Sequence, residues 1–225
     1  VDSDAVHAAP LFEALDEDTT QALRAAMVEV RMRRGETLFN EGEPGDRVYV
    51  IAEGKIKLGH SAPDGRETII AVLGPGEMLG ELALFDPGPR TATATAIAPT
   101  RLLELRHDDL MSFLRGRPEL SAQLLQSLAR RLRRTNAALA DLVFSDVPGR
   151  VAKALLDLAK RFGSTTDEGI RVAHDLTQEE LAQLVGASRE TVNKALAEFG
   201  NRGWIRLEGR AVLILEPARL ERRAR

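Results

Sequence analysis

Between Gly35 and about Arg106, apolar and β-branched residues come in short runs: Thr37 to Phe39, Val48 to Ala52, Lys55 to Gly59, Thr68 to Leu73, Thr91 to Ile97 and Leu102 to Leu105. The runs are separated by the turn formers Glu43-Pro44-Gly45-Asp46, Glu53-Gly54, Pro63-Asp64-Gly65, Gly74-Pro75-Gly76 and Asp86-Pro87-Gly88-Pro89. This alternation predicts a β-barrel or sandwich of about 70 residues. Upstream, Leu11, Phe12 and Leu15, then Leu23, Ala26, Met27 and Val30, recur at helical intervals and predict one or two short helices.

After Pro118 the period changes. A stretch free of Gly and Pro runs to about Phe144, with Ser121, Leu125, Leu128, Leu132, Thr135, Leu139 and Leu142 alternately four and three residues apart. That is the a/d spacing of a coiled-coil seam held for three heptads, and it predicts a dimer helix. The competing reading is a stripe packed on the chain's own β domain. Arg130, Arg131, Arg133 and Arg134 flank the stripe and read as a solvated face. Asp146-Val147-Pro148-Gly149 is expected to stop the helix and mark a domain boundary. Beyond it the pattern predicts a helix from about Arg150 to Phe162, a polar loop from Gly163 to Gly169 and a short strand at Ile170 to Ala173. The implied division is 1–117, 118–145 and 146–225.

Thr177-Gln178-Glu179-Glu180 fits a capping box and starts a helix through Leu181, Leu184 and Val185. Gly186 interrupts it, and Ser188 caps a second helix with Val192, Ala195, Leu196 and Phe199 on one face. Helix, tight turn, helix is the unit that sets its second helix in the DNA major groove, leaving Arg189, Glu190, Asn193 and Lys194 outward. Arg suits guanine, Glu the cytosine amino group, and Lys or Asn a base or phosphate. Trp204 to Leu207 and Ala211 to Leu215, around Glu208-Gly209-Arg210, read as the hairpin of a wing, with Trp204 in the core rather than stacking on a base.

Charge and composition narrow the function classes. The net charge of −3 splits into +2 from Asp146 onward and −5 before it; so small a basic tilt does not itself establish nucleic-acid binding. With no cysteine, disulfides, Cys-ligated zinc, iron–sulfur clusters and a thiol nucleophile are excluded. No apolar run approaches the roughly 18 residues of a membrane span, and the opening Val1-Asp2-Ser3-Asp4 lacks signal-peptide order. A cytoplasmic, non-membrane protein is expected. His7, His60, His107 and His174 show no metal or haem ligand spacing, and no catalytic triad, P-loop or metal motif is present, so no enzymatic activity is expected.

Gly80-Glu81-Leu82 followed by Arg90-Thr91 offers a close-approach glycine, free amides, a cation and a hydroxyl for a phosphate, and a carboxylate for a ribose hydroxyl. Taken alone, Glu81 and Arg90 also fit a surface ion pair. Thr135, a polar residue in a leucine seam beside Asn136, fits either a register-setting position or a ligand contact.

Asp146 to Ala152, Thr177 to Lys194 with Gly186-Ala187-Ser188-Arg189-Glu190-Thr191-Val192, and Gly80-Glu81-Leu82 to Pro89-Arg90-Thr91 together resemble the cyclic AMP receptor branch of the CRP/FNR transcription regulators, in its actinobacterial form. The resemblance spans nearly the whole chain. It implies an α+β protein with an N-terminal cyclic-nucleotide-binding β-barrel (jelly roll), a long dimerisation helix and a C-terminal winged helix-turn-helix. It implies a homodimer that takes cAMP as effector, with no metal, haem or iron–sulfur cluster, and that activates or represses transcription through double-stranded DNA and RNA polymerase. The resemblance puts cAMP on Gly80, Glu81, Leu82, Arg90 and Thr91, and its adenine on Thr135 and Asn136, one from each subunit. Asn136 stands where the enterobacterial member has Ser. DNA would meet Thr177, Ser188, Arg189, Glu190, Asn193 and Lys194, with Lys194 replacing an Arg, at a two-fold site with TGTGA-like half-sites. Asp146, Val147, Pro148 and Gly149 would be the hinge. Two rivals stand: a member that binds DNA without ligand or answers to another nucleotide, and a cyclic-nucleotide-binding module whose helix-turn-helix contacts protein.

Overall fold

Five consecutive apolar residues, Val48 to Ala52, are all buried in strand β3 (Arg47–Glu53) of the computed structural model, which describes residues 17–86, 88–115 and 117–224. A strand presents alternate side chains to opposite faces, so an unbroken apolar run requires cover on both. Tyr49 and Ile51 point into one core with Met32, Phe39, Ile56, Leu73, Leu79, Ala94, Ala96 and Leu102. Val48, Val50 and Ala52 point into a second, with Leu103 and Leu105 of β8 (Thr100–Arg106).

Two four-stranded sheets enclose the first core. One has the order β1-β8-β3-β6, with β1 at Val28–Met32 and β6 at Met78–Leu79; the other is β2-β7-β4-β5, with β2 at Thr37–Phe39, β4 at Ile56–Ser61, β5 at Glu67–Leu73 and β7 at Thr93–Ala96. The pairs β1/β8, β3/β8, β3/β6, β2/β7 and β4/β7 are antiparallel. The second core is closed by Leu23 of α1 (Glu17–Ala26) and Met27 just after it, Leu110 of α3 (His107–Leu114), and Leu120 and Leu124 of α4 (Pro118–Phe144). A four-residue helix, α2 (Leu82–Phe85), follows β6.

The expected helical stretch up to Val30 ends early, because Val30 pairs with Leu102 in β1; Leu11, Phe12, Leu15 and His7 lie outside the described residues. Helix α4 has the expected bounds, but its stripe is divided. Of the stripe, Leu128 packs in part on the sandwich beside Leu120 and Leu124, which lie outside it, whereas Leu125, Leu132, Leu139 and Leu142 are 64%, 61%, 62% and 51% exposed. The chain separates into two compact units within α4: residues up to His60 with Ala71–Arg133, and Ser61–Ile70 with Arg134 onward.

The long helix α4 stops at Phe144 as expected, and Asp146 to Gly149 also open the next helix. Asp146 Oδ1 accepts from the Gly149 amide at 2.9 Å, and Val147, Pro148 and Gly149 form the first turn of α5 (Val147–Phe162). Proline is at home there because its missing N–H would be unpaired in any case. The predicted polar loop is corrected: Gly163–Thr166 (β9) pairs with Gly169–Val172 (β10) as a hairpin, whose side chains escaped detection because all four of β9 face solvent. Helices α6 (Gln178–Val185) and α7 (Arg189–Asn201) follow, then β11 (Ile205–Glu208), β12 (Ala211–Ile214) and a terminal helix α8 (Pro217–Arg223), giving the sheet order β11-β12-β10-β9. No described helix is long and apolar enough to cross a membrane.

Phe199 anchors this second core, fully buried and stacked on Trp204 at a ring separation of 5.5 Å. Replacing it with Ala should cost about 3–5 kcal/mol in urea unfolding, and a loss below about 1 kcal/mol would contradict that packing.

Candidate functional site

Immediately after β6 the backbone turns through Gly80 at φ +82°, and a Cβ there would lie 2.5 Å from Arg90 Nη1 and 2.8 Å from the Arg47 carbonyl. Only glycine permits that approach. The Arg90 guanidinium fills the space: Nη1 donates to the Gly80 carbonyl at 3.2 Å, Nη2 donates to the Arg47 carbonyl at 2.8 Å, and the group lies 4.3 Å over the Phe39 ring. Gly45 flanks it as well, since a Cβ there would stand 2.9 Å from Arg90 Cζ. Arg90 is thus 6% exposed and Glu81 only 2%.

The surface ion pair between Glu81 and Arg90 is overturned. Both side chains are buried, and the partner of Glu81 Oε1 is Arg131 of α4, whose Nη2 also donates to the Met78 carbonyl. The flanking arginines therefore do not all form a solvated face. The sequence signal for Arg131 was faint: it is one of four arginines in a row of five, distinguished only by its position on the helix. Burial pushes the Glu81 carboxyl above the ordinary carboxylate range, and the Arg131 and Arg90 charges pull it back. Glu81 Oε2 and Arg90 Nε have no hydrogen-bond partner among the described residues. Buried polar groups are almost always paired, so these two mark the cleft as a polar-ligand site.

Gly80, Glu81, Leu82, Arg90 and Thr91 come together, with Phe39, Leu58 and Arg131, around a cleft of about 40 Å³. Leu82 and Thr91 are exposed at its edge. Thr135 and Asn136 stand exposed in the single chain, on the part of α4 that belongs to the second unit.

In the second unit the Thr177 hydroxyl accepts from the Glu180 amide at 3.1 Å while the Glu180 carboxylate accepts from the Thr177 amide at 2.8 Å, completing the capping box. Gly186 closes α6 in the left-handed conformation (φ 64°), and the Ser188 hydroxyl accepts from the Thr191 amide at 3.2 Å to start α7. Arg189, Glu190 and Lys194 are exposed on α7, opposite the buried Val192, Ala195, Leu196 and Phe199; Asn193 is half-buried. Lys194 Nζ lies 2.7 Å from Glu190 Oε1. Elsewhere, His60 pairs with Glu41, and the buried His174 accepts the Leu176 amide at Nδ1. Among the described residues no cluster of three or more His, Asp or Glu could hold a metal.

A sandwich with a buried Glu–Arg cleft, followed by a capped helix-turn-helix and a hairpin, defines a ligand-binding domain joined to a DNA-binding one. Residues 29–117 match the cyclic nucleotide-binding domain family and residues 149–223 the Crp-like helix-turn-helix domain. The chain is 58% identical over 217 residues to a protein of Mycobacterium tuberculosis described as a CRP-like cAMP-activated global transcriptional regulator, covering 96% of this chain and 97% of that one. Among solved structures, it superposes with a TM-score of 0.73 on a CRP-family transcriptional regulator from Thermus thermophilus (31% identity; 87% and 96% of the two chains). It superposes at 0.74 on the c-di-GMP responsive global regulator CLP from Xanthomonas campestris (25% identity; 88% and 99%). The chain belongs to the CRP/FNR family of transcription regulators. It is a DNA-binding regulator with a cyclic-nucleotide-binding domain and not an enzyme.

Proposed function

We propose that the effector is cAMP and that its binding shifts a homodimer towards the geometry that binds a two-fold DNA site with TGTGA-like half-sites. The observation that carries the reading is the pairing of two incompletely bonded buried charges in one cleft. Arg90, with the Gly80 backbone and the Thr91 hydroxyl at hand, suits the cyclic phosphate; Glu81 suits a ribose hydroxyl. Thr135 and Asn136 would meet the adenine, one from each subunit. The relative from Mycobacterium tuberculosis is described as cAMP-activated, which favours the same nucleotide here.

Because Arg131 of α4 holds Glu81, entry of a ligand that competes for that carboxylate acts directly on α4. Leu125, Leu132, Leu139 and Leu142, each more than half exposed in one chain, are the surface a second copy would cover. Ligand binding and dimer geometry thereby share one helix, and differential affinity for the two dimer geometries is what shifts the population. Arg189, Glu190 and Lys194 would read base edges about 34 Å apart in the two half-sites, and Asn193 would add a polar contact at their flank. Thr177 and Ser188, at the two helix starts, would meet phosphates. Asp146 to Gly149 would be the hinge, RNA polymerase the downstream partner and the cytoplasm the setting.

The test is fluorescence anisotropy of a labelled TGTGA/TCACA palindrome titrated with protein at fixed salt, alone and with cAMP, cGMP or c-di-GMP. Tightening by several-fold with cAMP is the expected result. Tight binding indifferent to every nucleotide would overturn the effector assignment, and tightening by another nucleotide would reassign it.

A further inference from the structure

No element is expected after β12, yet Pro217–Arg223 forms α8, which packs on α5 and buries Leu220 completely. Its last residue reaches the α4–α5 link: Arg223 Nη2 donates to Asp146 Oδ2 at 2.6 Å. The two carboxylate oxygens of Asp146 are thus divided, Oδ1 capping α5 and Oδ2 held by α8. Gly149 is buried beneath this contact. A Cβ there would stand 2.9 Å from Asp146 Oδ1 and 3.3 Å from both Arg223 Nη1 and the Arg223 carbonyl. The other side of the link is held by Arg150, which donates to the carbonyls of Ser145 (2.8 Å), Val185 (2.9 Å) and Gly186 (3.1 Å). The end of α4 is therefore fastened to the helix-turn-helix through Arg150 and to the C-terminal helix through Arg223. The Arg223 hydrogen bond also holds the Asp146 carboxyl below its ordinary range.

We propose that Arg223 is a positioning residue for the α4–α5 link, and that α8 is a clamp that keeps the link taut enough to pass a change in α4 to the recognition helix. The inference rests on the effector reading above. Asp146 is 62% exposed and Arg223 31%, so the ion pair adds little to overall stability. It acts on a joint, however, and a slack joint transmits less.

The experiment uses the full chain with three variants: Arg223→Gln, Arg223→Lys, and Asp146→Asn, which keeps a capping oxygen but loses the charge. Two quantities are read: the ratio of DNA affinities with and without cAMP, and hydrogen exchange of the Gly149 amide. Arg223→Gln should lower the ratio by roughly two- to five-fold and speed Gly149 exchange by a similar factor, with melting temperature and cAMP affinity unchanged. Arg223→Lys should retain most of the wild-type ratio. Asp146→Asn should reproduce Arg223→Gln, and the double variant should add nothing further. An unchanged or raised ratio in Arg223→Gln, or additive losses in the double variant, overturns the clamp. A wild-type ratio of one overturns the effector reading and the coupling role with it, whereas unchanged Gly149 exchange in Arg223→Gln overturns the clamp alone.

Discussion

Arg90→Ala should lose cAMP affinity by about 30- to 150-fold, the equivalent of about 2–3 kcal/mol for hydrogen bonds to a charged group. The argument starts from burial. Arg90 is held by two backbone carbonyls and by the Phe39 face, so its position does not depend on the ligand. A preplaced guanidinium loses little freedom when a phosphate arrives, and it presents a planar fork that a lysine lacks. Arg90→Lys should therefore recover the charge but only part of the affinity. Because Arg90 also bonds Gly80 and Arg47, each variant is first checked for a native melting transition. Calorimetric titration then decides, and a folded Arg90→Ala variant with near-normal affinity would remove the phosphate from this cleft.

Replacing Leu132 and Leu139 together with Glu should convert the protein to a monomer in analytical ultracentrifugation and lower its affinity for the two-fold site by about 10²- to 10⁴-fold, the loss expected when two linked binding events become separate. Both leucines are more than half exposed within one chain, so the substitutions should leave the melting of each unit in place. The matched control is Leu124→Glu, which introduces charge on the neighbouring, buried face of α4 and should unfold the sandwich instead. A dimer that survives the double substitution would exclude α4 as its seam.

The sequence exposed features whose cause is local. The capping box at Thr177 to Glu180, the cap at Ser188 and the left-handed Gly186 are dictated by residues within a turn of one another, and each stands where the pattern put it. The heptad spacing of α4 was equally legible, because one helix carries it. What escaped depends on partners far along the chain. Arg131 belongs to the cleft because a carboxylate fifty residues earlier is buried against it. Helix α8 exists because α5 offers a seat for Leu220, and nothing within Glu216 to Ala224 announces that seat. Pro148 read only as a stop because proline breaks helices in their interior; in the first turn it does the opposite, and only the Asp146 cap tells the two apart.

The 2.7 Å contact between Glu190 and Lys194 places two of the proposed reading residues in each other's grip before any DNA arrives. Each base contact that one of them makes is made by exchanging a partner that is already charged. A scan that changes one position at a time would attribute to Glu190 an effect that belongs partly to a liberated Lys194. Site preference should accordingly evolve in paired steps, with positions 190 and 194 behaving as a single letter of the recognition code.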